Sequence, residues 1–211
     1  MLKKIFIFLL MIVGGKLYAQ YPGFKLMTDT NDFRNQFIKT VQEITTIKSD
    51  FIQEKNLSML SEKISSTGIF WFKKENMLRM EYLKPFQYLM IINKNNVMLK
   101  DAEKTNIISI RSNKLFQQIS QIMLDCVQGT VLINPKYKII IFENKTNWMI
   151  EMDPFEKGLK DFFKTINIII DKKDYSVTSV NMVELTGDNT LIRFKNREVN
   201  IEIPDAVFSV N

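Results

Sequence analysis

Histidine is absent from all 211 residues of the chain. Its absence excludes Ser-His-Asp and Cys-His nucleophile pairs, histidine-ligated zinc and histidine-ligated haem. Chemistry by carboxylates, lysine or tyrosine stays open. Cysteine occurs once, as Cys126, so neither an internal disulfide nor a multi-cysteine metal site can form. Arginine is scarce, with five residues, and the lysines are scattered rather than gathered into a stripe. Nucleic acid, which needs a concentrated cationic surface, is therefore not an expected partner. There is no Gly-rich phosphate loop, no nucleophile signature and no cluster of metal ligands, so no cofactor or metal is expected. No internal repeat, Pro-rich linker or low-complexity block divides residues 20–211.

What remains is an ordinary globular composition, 45% hydrophobic and 25% charged. The length suits one domain, large enough to bury a core without disulfide or metal staples. The first residues stand apart from it. Lys3 and Lys4 precede a continuous apolar run from Ile5 to Val13, broken by Gly14, Gly15 and Lys16, with Ala19 as a small residue before Gln20. This is the three-part layout of a secretory signal peptide, with cleavage expected after Ala19. The run is far short of the ~20 apolar residues that span a bilayer, which disfavours the competing reading of an uncleaved anchor. The expected organisation is thus a signal peptide over 1–19 and a single domain over 20–211. Cleavage removes Lys3, Lys4 and Lys16 and no acid, taking the formal net charge from +6 to +3. One free cysteine in an exported chain fits an envelope compartment, the periplasm, where disulfides are permitted but not required.

In the mature region the apolar period is first helical. Phe33, Phe37, Val41 and Ile44 share one face and predict a helix from about Asp32 to Thr46, after a capping stretch Thr28-Asp29-Thr30-Asn31. The period then changes to two. Strands are predicted over Phe51–Leu57, Thr67–Lys73, Met77–Leu83, Tyr88–Ile92, Val97–Lys100 and Ile107–Ile110. A second helix is predicted over Lys114–Gln128, where Leu115, Phe116, Ile119, Ile122, Met123 and Cys126 form the apolar face and Gly129 suits a left-handed C-cap. Strands resume over Tyr137–Glu143, Trp148–Met152, Ile166–Ile170, Tyr175–Leu185, Leu191–Lys195 and Val199–Ile203. So many short antiparallel strands tend to curl, and two helices with wide apolar faces can cover the open side. The fold class expected is mainly β: a curved antiparallel sheet, an incomplete barrel, covered by a helical lid. The helices either complete a solid core or lid a hydrophobic cavity. Cys126, on an apolar helix face, reads as a buried structural thiol rather than a reactive one.

The stretch F-I-Q-E-K (Phe51–Lys55), followed by G-I-F-W-F-K-K-E-N-M-L-R-M-E-Y-L-K-P (Gly68–Pro85), resembles the LolA family of periplasmic carriers for outer-membrane lipoproteins. That family shows an F-x-Q-K strand, then G-x-x-W-x-K-R-P and an aromatic-rich strand. The Tyr88–Asp101 hairpins, the mid-chain amphipathic helix and V-E-L-T-G-D-N-T-L-I-R-F (Val183–Phe194) also sit where the family has equivalents. The resemblance implies an incomplete barrel closed by helices, whose concave face binds lipoprotein acyl chains delivered by an inner-membrane transporter and passed to an outer-membrane acceptor. It implies a monomeric carrier rather than an enzyme. It also implies a lid latch, an arginine in the family, at the position of Lys74; here lysine offers a point charge instead of a planar fork. The family's proline falls on Glu75. The residues expected to touch ligand are Leu78, Met80, Tyr82, Phe116, Ile119, Met123 and Trp71, with Met90 and Met98 on elements that line the same site. Methionine suits a cavity that must adapt and release. Two other readings compete: a LolA-like protein for another amphiphile, such as a glycolipid or lipid-linked pigment precursor, and an envelope hydrolase built on two carboxylates.

Overall fold

The computed structural model describes residues 21–60, 62–94, 96–101, 105–109 and 114–209. The signal peptide expected over 1–19 lies outside them. The strands are β1 (Lys25–Leu26), β2 (Thr46–Leu57), β3 (Glu62–Lys73), β4 (Met77–Lys84), β5 (Tyr88–Asn93), β6 (Asn96–Lys100), β7 (Thr105–Ser109), β8 (Tyr137–Glu143), β9 (Asn147–Pro154), β10 (Phe163–Asp171), β11 (Val177–Glu184) and β12 (Asn189–Val199). The helices are α1 (Asn31–Gln42) and α2 (Lys114–Gln128). All twelve strands form one open antiparallel sheet in the order β1-β8-β9-β10-β11-β12-β2-β3-β4-β5-β6-β7.

This order dictates where the helices go. The first meander, β2 to β7, ends at one edge of the sheet, and the second begins at β8, next to the opposite edge. The chain between them has to cross the open side, and α2 lies on that connection. Its fifteen residues reach about 22 Å at ~1.5 Å per residue. Likewise α1 links edge strand β1 to β2 in the middle of the sheet. Phe33, Phe37 and Val41 of α1 and Ile122, Leu124 and Cys126 of α2 join the main core with the concave face.

Several expected boundaries move. The first helix stops at Gln42 rather than Thr46, because the β-branched Thr46 and Ile47 already pair with Lys73 and Phe72. β3 begins at Glu62, five residues before the predicted Thr67, because Lys63–Ser66, with Ile64 its single apolar residue, is held by an unbroken ladder to β2. Isolated from that partner, the run carries no strand signal. The strand predicted over Val199–Ile203 is replaced. β12 runs on to Val199, where Asn200 adopts φ 56° and turns the chain out of the ladder. Residues 201–209 then cross the convex face. Ile203 and Phe208 bury there against Met77, Ile91 and Met98. Lys73 Nζ donates to the Ile203 carbonyl at 2.9 Å, Arg79 Nη1 to Val207 at 3.1 Å and Asn93 Nδ2 to Phe208 at 3.0 Å.

Candidate functional site: an apolar cavity under two helices

Strand alternation sorts each residue to one face of the sheet. In β2, Ile47, Ser49, Gln53 and Lys55 point to the concave side; in β4, Met80 and Tyr82 do; in β12, Thr190, Ile192 and Phe194 do. These side chains, with Val41, Ile122, Met123, Cys126 and Val127 from the helices, wall a cavity of about 400 Å³ between sheet and lid. Most of the wall is aliphatic, aromatic or thioether. Four of the polar residues on the wall are arranged in two pairs. Tyr82 donates its hydroxyl to Gln53 Oε1 at 3.0 Å, and Lys55 Nζ meets Glu184 Oε1 at 2.9 Å. Burial, with a smaller push from Tyr88, raises the Tyr82 phenol to about 12. The Cys126 thiol is pushed well up by burial and by neighbouring Asp125, which keeps it protonated and inert. Glu184 is the one carboxylate on the wall among the described residues, and Lys55 neutralises it. The facing carboxylate pair that a hydrolase would use is not formed there.

Of the residues expected at the site, Met80, Tyr82 and Met123 line this cavity, as does Met90. Leu78 does not: it is fully buried in the concave core but lies outside the cavity wall. Trp71 is on the other face altogether. Odd-numbered positions of β3 point to the convex side, where Trp71 packs with the C-terminal segment and stacks under the Arg79 guanidinium at 5.3 Å. A strand apolar on both faces is thus covered on both, and Trp71, partly buried, packs against the second, smaller core. Met98 follows the same correction. Phe116 and Ile119 fall on α2, but their side chains lie outside the described residues. The sequence reading missed the far half of the wall, Tyr175, Val177, Val180, Met182, Ile192, Phe194 and Arg197. The alternation of Val180 with Met182 and of Ile192 with Phe194 is its one visible trace.

Lys74 sits in the β3–β4 turn, where Glu75 and Asn76 both adopt positive φ, 75° and 62°. Proline cannot reach that conformation, so the turn here differs from one carrying the family's proline. The Lys74 ammonium donates to the carbonyl of Gln42, the last residue of α1, at 2.5 Å. From α2, Gln128 Nε2 donates to Asn76 Oδ1 at 2.8 Å. One tight turn therefore holds the C-terminal ends of both helices. The helices also touch each other there. Gly129, at φ 73°, leaves room for Val41, whose Cγ2 would lie 2.2 Å from any added Cβ.

At the opposite end of the sheet, the β2–β3 and β11–β12 turns are joined by Ser58 N–H donating to Asp188 Oδ1 at 2.8 Å. Large apolar side chains stand exposed on turns at this end, among them Met59, Phe86 and Leu185.

The profile of the family described as outer membrane lipoprotein carrier protein LolA matches residues 42–211. The chain belongs to the LolA family. A relative from Wigglesworthia glossinidia brevipalpis, an outer-membrane lipoprotein carrier protein, is 26% identical over 181 residues, spanning 82% of this chain and 74% of the relative. Among solved structures, an uncharacterized conserved protein from Thermus thermophilus aligns with a TM-score of 0.52 at 9% identity, covering 85% of this chain and 93% of its own. MucB aligns with a TM-score of 0.50 at 11% identity, over 87% of this chain and 63% of that one. At such identities the shared property is the fold, the LolA-like open sheet with two helices across it. Family membership makes this a lipoprotein- or lipid-binding carrier fold, and LolA proteins are carriers rather than enzymes.

Proposed function

We propose that the protein is a periplasmic carrier that takes up the acyl chains of a lipoprotein in this cavity, receiving them from an inner-membrane transporter and yielding them to an outer-membrane acceptor. The observation that carries the reading is the apolar cavity under a lid held at one turn. Burying ~10 methylenes contributes about 8 kcal/mol before the costs of association. A volume of about 400 Å³ is the size of a single small-ligand site. A cargo with several chains then needs the helices to lift, so uptake and release are governed by the ties that hold them. Lys74 is the latch in this reading, with Gln128 as a second tie. The exposed apolar turns at the far end suit contact with membrane-embedded donors and acceptors.

Protein recovered from the periplasm is expected to carry acylated lipoprotein, seen as a complex by native mass spectrometry and as acyl chains after lipid extraction. Protein that comes out empty and does not keep a lipoprotein soluble would sink the reading. A Lys74→Leu variant is expected to lose only about 1 kcal/mol of stability, since one exposed hydrogen bond is removed. Its uptake of a fluorescent acyl probe should be several-fold faster in stopped flow. Uptake at the wild-type rate would remove Lys74 from the lid mechanism.

A further inference from the structure

Arg197 is out of place by the logic of its strand. Ile192 and Phe194 of β12 face the cavity, so simple alternation sends residue 197 to the convex side. A register shift between Lys195 and Glu198 breaks the alternation, with Asn196 in the left-handed region at φ 51°. Asn196 is held in this bulge by its Nδ2 donating to Asp50 Oδ2 at 2.7 Å. The extra residue turns Arg197 inward, where it lines the cavity beside Tyr175 and Val177.

Once there, the guanidinium is poorly matched. The side chain of Arg79, 20% exposed, is bonded to Glu81 and to the Val207 carbonyl and stacks on Trp71. Arg34 bonds to Thr30 and to the Leu132 carbonyl, and Arg193 to Glu54. Arg197 is 21% exposed, as sheltered as Arg79, yet among the described residues its one ion-pair partner is Asp174 at 3.9 Å, itself largely exposed and already accepting from the Ser176 amide. No hydrogen bond to its five N–H donors is found among the described residues. Burial lowers its pKa and Asp174 opposes this only in part. A sheltered cation with idle donors on a mostly apolar wall is costly unless an anion joins it.

We propose that Arg197 is an oxyanion-binding residue at one end of the cavity, so that the protein also binds acyl amphiphiles whose head is a carboxylate or a phosphate. The proposal rests on the reading of the cavity as an acyl site. The head pairs with Arg197 near the β10–β11 turn, and the chain extends along β12 toward Thr190, about 20 Å at ~3.3 Å per residue with the bulged residue discounted. The bidentate fork of arginine fits either oxyanion.

Hexadecanoic acid, hexadecyl phosphate and methyl hexadecanoate, each used to displace an uncharged fluorescent acyl probe, test it. Both anions are expected to bind about tenfold tighter than the ester, the worth of a charge-assisted hydrogen bond. Arg197→Leu should remove the preference, all three ligands then binding with one affinity, and a denaturant midpoint near that of the wild type checks that the variant folds. Arg197→Lys should keep part of the preference, and Arg193→Gln, on the convex face, all of it. The stronger of the two anions identifies the head group. Equal affinities in the wild type, or a preference that survives Arg197→Leu, overturn the proposal and leave the carrier reading intact. If none of the three binds, the cavity is no acyl site and both fall.

Discussion

Val180→Trp should abolish acyl binding while leaving the protein folded. Val180 lies on β11 between Ile168 of β10 and Ile192 of β12, and its side chain faces the cavity. An indole placed there projects into space that ligand would occupy, not into packed atoms, so the usual cost of overfilling a core is largely avoided. The ligand bears the cost instead. Excluding about four methylenes forfeits roughly 3 kcal/mol, a factor of about 100 to 200 in affinity. Titration of a fluorescent acyl probe reads the loss, and denaturant unfolding of the same variant checks that stability has changed by less than about 1 kcal/mol. Retained affinity in a folded Val180→Trp protein would mean that acyl chains bind elsewhere. Ile192, Phe194 and Met182 on the same half of the wall give further positions from which to block the site.

The second large effect concerns the fold. Gly68→Val is expected to destabilise the protein by about 3 kcal/mol or more, a large part of the 5–15 kcal/mol typical of a domain. Gly68 pairs with Phe51 of β2 on one side and Tyr82 of β4 on the other. The two rings close over its bare Cα in an edge contact, with centroids 5.0 Å apart. A Cβ at Gly68 would lie 2.1 Å from the Glu81 carbonyl oxygen and 2.6 Å from the Phe51 ring. The ring can swing away, but the carbonyl belongs to the ladder and cannot. Even Gly68→Ala should therefore cost substantially, and Phe51→Ala should rescue it only in part, a coupling that a double-mutant cycle measures. A Gly68→Ala protein with an unchanged denaturation midpoint would show that the strands have more slack than this geometry allows. The same contact gives a physical reason for the glycine that opens the G-x-x-W segment: it lets buried Phe51 pack edge-on against Tyr82 of the cavity wall.

How much of this was legible beforehand differs by element. α2 was readable to both ends, since Ile122, Met123 and Cys126 repeat at helical spacing and Gly129 supplies the left-handed stop. β8 was equally clear. The early half of β3 is not, because a lone Ile64 gives Lys63 to Ser66 no apolar rhythm and they are strand only through their partners on β2. Trp71, expected at the ligand, and Met98, on an element expected to line the site, both face the convex side. A period of two says that alternate residues part company, but not which set faces the helices when the reverse of the sheet is also covered. The C-terminal segment that covers it reads as one more strand because Ile201 and Ile203 alternate; the turn at Asn200 that lifts it out of the ladder depends on tertiary bonds, among them Asn200 Oδ1 accepting from the Thr45 amide at 2.7 Å.

From the sequence alone came what composition and local periodicity can carry: the exclusion of histidine chemistry, the curled antiparallel sheet with two amphipathic helices, the family, and four of the cavity's residues, Met80, Tyr82, Met90 and Met123. These follow from interactions among near neighbours in the chain. The cavity's other half, the turn that ties both helices, and the inward position of Arg197 were decided only in three dimensions. Each depends on residues more than thirty positions apart meeting across the sheet, as Lys74 meets Gln42, or on a bulge that reverses the facing of a side chain. No periodicity encodes those events, because their energy lies in contacts between segments rather than within them.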